Sequence, residues 1–85
     1  MKNVIVTGGS SGIGLEIAKL LAKDADHIVL VARNLTRLTQ AKEVLITMNP
    51  NLKISLISAD LSTIEGIRRC IEQIEDLNLD IDSLV

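Results

Sequence analysis

Thr7-Gly8-Gly9-Ser10-Ser11-Gly12-Ile13-Gly14 is the stretch on which the reading of this chain turns. The β-branched apolar run Asn3–Thr7 precedes it and reads as a buried parallel strand. After it, Ile13, Ile17, Leu20 and Leu21 recur at helical spacing, predicting an amphipathic helix from about Ser11 or Gly12 to near Lys23 with those residues facing inward. Glycines between a strand and a helix permit backbone conformations closed to other residues and let a ligand reach main-chain N–H groups. The unpaired N–H groups and positive dipole end of the helix then form a site for a phosphate or pyrophosphate. A tight turn holding no ligand is the bland alternative.

Spacing separates the kinds of phosphate loop. Gly9 and Gly14 have the Walker A gap, but Leu15-Glu16 follow where a lysine and a hydroxyl residue are required. The dinucleotide pattern G-x-G-x-x-G also fails, because Gly12-Ile13-Gly14 leads to Ile17 in the last glycine's place. What remains is T-G-x-x-x-G-x-G on Gly8, Gly12 and Gly14.

Outward from this turn the pattern alternates. Asp24-Ala25-Asp26-His27 makes a turn, and Ile28–Ala32 is a second apolar strand. Asn34 suits an N-cap for a helix to about Met48, with Leu35, Leu38, Ala41, Val44 and Leu45 on the inner face. Asn49-Pro50-Asn51 ends it, since proline fixes the backbone and removes a donor. Leu52–Ser58 is the third strand. Ser62-Thr63-Ile64-Glu65 has capping-box spacing and opens a helix with Ile64, Ile67, Ile71 and Ile74 inward. Asn78–Asp82 is a loop, and Ser83-Leu84-Val85 begins a fourth strand. Strands alternating with helices predict an α/β fold with a parallel sheet built from right-handed crossovers.

The 85 residues allow one small domain, and 31 Ile, Leu and Val side chains exclude a disordered tail. Phe, Tyr and Trp are absent, which removes aromatic stacking platforms for nucleic acid. Residues 1–53 carry 7 basic against 4 acidic side chains (net +3), and residues 54–85 carry 2 against 7 (net −5). That modest basic bias suits a small anionic ligand better than a nucleic acid. Cys70, the single cysteine, cannot form an internal disulfide and fits a reducing compartment. No run approaches the roughly 20 apolar residues of a membrane helix. Apolar residues from Val4 leave no room for a signal-peptide core, so a cytoplasmic location is expected.

The end of the second strand bears on the choice of dinucleotide. An NAD-binding fold of this kind places an acidic residue about 20 residues past the glycines, on the ribose 2′-OH. Here Ala32-Arg33 stand in that region, and an arginine there can pair with the 2′-phosphate of NADP. Arg37, one helical turn on, either assists or is a solvated surface charge.

These features together resemble the short-chain dehydrogenase/reductase family, in which TGxxxGIG opens a cofactor-binding Rossmann-like fold. The resemblance spans the chain. Ala32-Arg33-Asn34-Leu35-Thr36-Arg37-Leu38 is similar to the segment after the family's second strand, Ala59-Asp60-Leu61-Ser62 to its D-[LV]-[ST] motif, and Ile81-Asp82-Ser83-Leu84-Val85 to the run into its fourth strand. It implies a three-layer fold with strand order 3-2-1-4, the first two helices on one sheet face and the third on the other. The residues it points to for cofactor binding are Gly8, Ser10, Ser11, Gly12, Ile13, Gly14, Arg33, Asn34, Asp60 and Leu61, with NADP favoured over NAD. Asp60 is implied to accept from the adenine amino group with the Leu61 backbone beside it, and Ile13 to present its N–H toward the pyrophosphate or nicotinamide. Thr7 is expected to brace the turn.

His27 reads as a solvated turn residue, Cys70 as a buried or inert thiol, and Glu72, Glu75, Asp76, Asp80 and Asp82 as a solvated acidic run. The family's chemistry uses a Tyr-x-x-x-Lys pair with a Ser and an Asn beyond its fourth strand, and this chain has no tyrosine. The expectation is a truncated cofactor-binding portion of an oxidoreductase, inactive by itself and self-associating into a dimer or larger through its open sheet edge and apolar faces. A stand-alone nucleotide-binding module and a structural fragment without ligand are the other readings.

Overall fold

Val4, Val6, Ile28 and Leu30 point to one side of a β-sheet while Ile5, Val29 and Val31 point to the other, and all of them are buried. Successive strand residues face opposite ways, so strands covered on both faces must be apolar without a break. In the computed structural model, which describes residues 2–10 and 12–85, the elements run β1 (Asn3–Thr7), α1 (Gly12–Leu21), β2 (His27–Ala32), α2 (Leu35–Met48), β3 (Lys53–Ser58), α3 (Ile64–Asp76) and β4 (Ser83–Leu84). The strands pair in parallel in the order β3-β2-β1-β4, as the resemblance implies, with Val4 opposite Ile28 and Ile28 opposite Ile54.

Helix α1 packs Ala18 on the first face, followed by Ala22 in the turn after it, α2 packs Leu38, Ala41 and Leu45 there, and α3 packs Cys70 on the second. Burying each large aliphatic side chain of this core contributes about 1.5–3 kcal/mol. Asn34 caps α2 as expected: its backbone is extended, and Oδ1 accepts from the Arg37 N–H at 3.1 Å. At the far end the Asn49 side chain donates to the Ala22 carbonyl at 2.9 Å, tying α2 to the end of α1.

The helix faces differ in part from the expectation. Ile13 (80% exposed), Leu20 (73%) and Ile64 (86%) point outward, and Leu35, Val44, Ile67 and Ile71 are also exposed. Against the sheet lie Ala18 of α1, Leu38, Ala41 and Leu45 of α2 and Cys70 of α3, with Leu15, Leu21 and Ile74 packed beside them, so of the expected inner faces Leu21, Leu38, Ala41, Leu45 and Ile74 hold. Helix α1 ends at Leu21 rather than near Lys23, and Asp24 N–H turns back onto the Leu21 carbonyl at 3.1 Å. Thr63, not Ser62, caps α3; its hydroxyl accepts from the Gly66 N–H at 3.0 Å.

Further residues depart from their expected places. His27 is the first residue of β2, not part of the turn, and its Nε2 lies 2.7 Å from the Ser55 hydroxyl. Strand β3 starts at Lys53, one residue later than read. Thr7 braces β4 instead of the glycine turn, its hydroxyl donating to the Val85 carbonyl at 2.9 Å. Within the acidic run, Asp82 is more than solvated: its Oδ2 accepts from the Asn3 N–H at 2.8 Å, while the Asn3 side chain donates to the Asp80 carbonyl at 2.9 Å.

Candidate functional site

The C-terminal ends of β1, β2 and β3 open into a cleft of about 410 Å³. Strand β1 delivers Gly8 and Ser10, β2 delivers Arg33 and Asn34, and β3 delivers Asp60 and Leu61. Six of the ten residues singled out from the sequence therefore share one cleft. Gly12, Ile13 and Gly14 form the first turn of α1 and do not line it, while Ser11 lies outside the described residues.

The turn from β1 is held tightly. The Gly8 N–H donates to the Val31 carbonyl at 2.7 Å, so the chain leaves β1 still attached to β2. Gly8 and Gly12 have φ of 67° and 58°, a left-handed conformation that L side chains rarely adopt. Gly14 has a different reason: a Cβ there would lie 2.1 Å from the Gly8 carbonyl oxygen. Only glycine lets the start of α1 come this close beneath the turn. The first N–H groups of α1 lack intrahelical acceptors and carry the positive end of its dipole.

Arg33 and Asp60 stand on neighbouring strand ends. The Arg33 carbonyl accepts from the Ser58 hydroxyl at 3.0 Å, and the Ala59 N–H donates to the Ala32 carbonyl at 2.9 Å, carrying the β2–β3 pairing up to the site. Hydrogen bonds from Ser62 hold the Asp60 carboxyl below the usual carboxylate range, and the Arg33 guanidinium adds to the shift. Asn34 spends its side-chain oxygen on the α2 cap, which fixes the chain directly after Arg33. A second cavity of about 510 Å³ lies between β3 and α3, with Arg33, Ala59 and Asp60 shared between the two and Arg69 in its lining.

Val31, Ala32 and Ala59 also line the cleft beside the polar groups; Ala32 and Ala59 stand in the segments the sequence points to, and Val31 is signalled only by its place at the end of an apolar strand. Ser62 was read as a cap, although the spacing Asp60-x-Ser62 is that of a side chain bonding the backbone two residues on. Gly66, in the first turn of α3, carried a signal in being a glycine where helix formers are favoured.

Cys70 is buried, and burial pushes its thiol pKa up. Burial, with Lys53 nearby, holds His27 below 6.5. Among the described residues no cluster of His, Cys, Asp and Glu is arranged to hold a metal ion, and no helix is long and apolar enough to cross a membrane.

Comparison with known proteins agrees with this geometry. The chain is 40% identical over 81 residues to the short-chain dehydrogenase TIC 32 B, chloroplastic, of Brassica napus, covering 95% of this chain and 25% of that protein. It superposes on an L-sorbose reductase from Gluconobacter frateurii, complexed with NADPH and L-sorbose, with a TM-score of 0.88 and 37% identity, over 98% of this chain and 31% of that one. It also superposes on YwfH, an NADPH dependent reductase involved in bacilysin biosynthesis, with a TM-score of 0.90 and 28% identity over 98% and 33% of the two chains. The chain thus spans about a quarter of the length of the curated relatives it matches. The family model for short chain dehydrogenases matches residues 2–85, and on that extent the chain belongs to the short chain dehydrogenase family.

Proposed function

We propose that these 85 residues form the NADP(H)-binding portion of an oxidoreductase that moves a hydride between NADP and a carbonyl or alcohol. The observation that carries the reading is Arg33. At the end of β2, where an acidic residue would hold the 2′-OH of NAD, stands a guanidinium that lines the cleft. The residues present fit the cofactor: a cation for a phosphate, a carboxylate for an amino group, and glycines that keep α1 close under the turn. The NADPH named for the sorbose reductase and for YwfH supports the same choice.

When bound, the cofactor supplies the hydride. This chain's own part is to bind and orient. The start of α1 offers N–H groups to the pyrophosphate, Arg33 pairs with the 2′-phosphate, and Asp60 accepts from the adenine amino group beside Leu61. Ser10, Ser11, Gly12, Ile13 and Asn34 complete the binding set. The chain holds no tyrosine, and the proton transfer to the substrate is assigned to residues outside these 85. The exposed apolar side chains of α1 and α3 support self-association, and the lone buried thiol supports a reducing compartment such as the cytoplasm.

Calorimetric titration of the purified protein with NADPH and, in parallel, NADH tests the reading. NADPH is expected to bind at least about tenfold tighter, the worth of one hydrogen bond to a charged group. Equal affinities would remove the NADP assignment, and no heat with either would remove cofactor binding altogether.

A further inference from the structure

A surface aspartate at the end of a strand normally turns freely about its side-chain bonds, yet Asp60 is held at both ends. Its Oδ1 accepts from the Ser62 N–H at 3.0 Å and from the Ser62 hydroxyl at 2.5 Å. Its main-chain carbonyl accepts from the Thr63 hydroxyl at 3.2 Å, and a Cβ on Gly66 would lie 1.8 Å from that carbonyl oxygen. The first turn of α3 is thus pressed against the backbone of Asp60 while Ser62 grips its carboxylate.

Both Ser62 bonds go to the same oxygen. Among the described residues no hydrogen bond reaches Oδ2, and Asp60 lines the cleft together with Leu61 and Ser62. An ionised carboxylate accepts and cannot donate. With Oδ1 committed, the carboxylate offers an arriving ring one acceptor in one fixed place.

We propose that Ser62 is a positioning residue that makes the cleft selective for a 6-aminopurine: by holding Oδ1 it aims Oδ2 at the exocyclic amino group and turns away a ring with a carbonyl there. This rests on the dinucleotide reading above and deepens it. The ionised form of Asp60 is kept by the same two bonds, since Ser62 is the largest cause of its lowered pKa. Gly66 serves the same end from the backbone side, because any side chain at that position would push the Asp60 carbonyl off its seat.

The test uses the full-length protein with NADPH and its hypoxanthine counterpart, which differ in the 6-amino and 6-oxo groups and in the proton that the hypoxanthine ring carries on N1, and share the fluorescent dihydronicotinamide. The unaltered protein is expected to favour NADPH about tenfold or more. Ser62→Ala, which removes the hydroxyl bond and leaves the N–H bond to Oδ1, should reduce that ratio to about two- or threefold, with the affinity for the hypoxanthine form nearly unchanged, and Ser62→Thr, which keeps the hydroxyl, should restore it. Equal weakening of both ligands in Ser62→Ala would show a structural role only and overturn the proposal, leaving NADPH binding in place. Equal affinities in the unaltered protein would overturn it as well. Failure of the unaltered protein to bind either ligand would overturn the dinucleotide reading and this inference with it. Should Ser62→Ala fail to fold, Asp60→Asn makes the comparison from the other partner: its amide can donate to the 6-oxo group, so the hypoxanthine form should gain on NADPH, and an unchanged ratio overturns the proposal.

Discussion

Adding a single methyl group at Gly14 should loosen both the fold and the site. A Cβ on Gly14 would stand 2.1 Å from the Gly8 carbonyl oxygen, 2.6 Å from its carbon and 3.2 Å from the Gly9 nitrogen. All three are backbone atoms, so no rotamer change relieves the clash. Restoring ordinary contact requires the start of α1 and the β1 turn to separate by more than an ångström. Forced overpacking of this kind costs about 1–3 kcal/mol. Alanine in a helix returns about 1 kcal/mol over glycine, so a net loss of up to about 2 kcal/mol is expected. For a domain of this size that lowers Tm by up to roughly 16 °C, readable by circular dichroism. Affinity for NADPH should fall about tenfold or more, since the N–H groups at the start of α1 move away from the turn. A Gly14→Ala protein with unchanged or raised Tm and unchanged NADPH affinity would refute the close-approach argument.

Other expectations follow from the same geometry. Arg33→Asp should weaken NADPH far more than NADH in parallel titrations; equal losses would remove Arg33 from the site. The pKa of His27 is lower in the folded chain than its ordinary 6.5, so folding favours the neutral ring. Its contribution is therefore present above about pH 6.5 and is lost as pH falls below that value, and His27→Gln should flatten the decline in Tm between about pH 7 and pH 5. Cys70, buried and with its thiol pKa raised, should resist iodoacetamide at mildly alkaline pH in the folded protein and react in urea, as read by peptide mass spectrometry. Rapid labelling without denaturant would contradict the packing of α3.

The strands and the α2 cap were legible because their signals are local. Runs such as Ile28–Val31 are apolar at every position, as a strand covered on both faces must be, and Asn34 needs only Arg37 to act as a cap. The helix faces were legible only in part, because hydropathy alone extends an apolar stripe past the residues that reach the sheet. Ile13, Leu20, Ile64 and Ile71 continue such stripes onto exposed positions, while α1 and α3 lie against the sheet through Leu15, Ala18, Leu21, Cys70 and Ile74. The distance between helix and strand is set by tertiary packing, which no short window contains. In the site, residues with a charge or a required glycine could be singled out. The partner that holds a charge in place, such as Ser62 for Asp60, emerged only once the turn after β3 had a shape.

The pairing of β1 has a consequence for the order in which the chain assembles. On one side β1 meets β2, with Asn3 opposite His27 across a short crossover. On the other it meets β4, where the Val85 N–H reaches the Ile5 carbonyl at 2.8 Å and the Thr7 N–H reaches the Val85 carbonyl at 2.9 Å. That contact closes a loop of nearly the whole chain, and the entropy of closing it must be overcome before the contact contributes. The unit β1-α1-β2-α2-β3 can therefore condense first and β4 dock last onto a formed edge. Amide hydrogens at Ile28–Val31, between two neighbours, should exchange with solvent slowest, and the Thr7 and Val85 amides should open in smaller, more frequent excursions. The strand made first thus becomes an inner strand of the sheet, and its second side waits for residues about 80 positions further along.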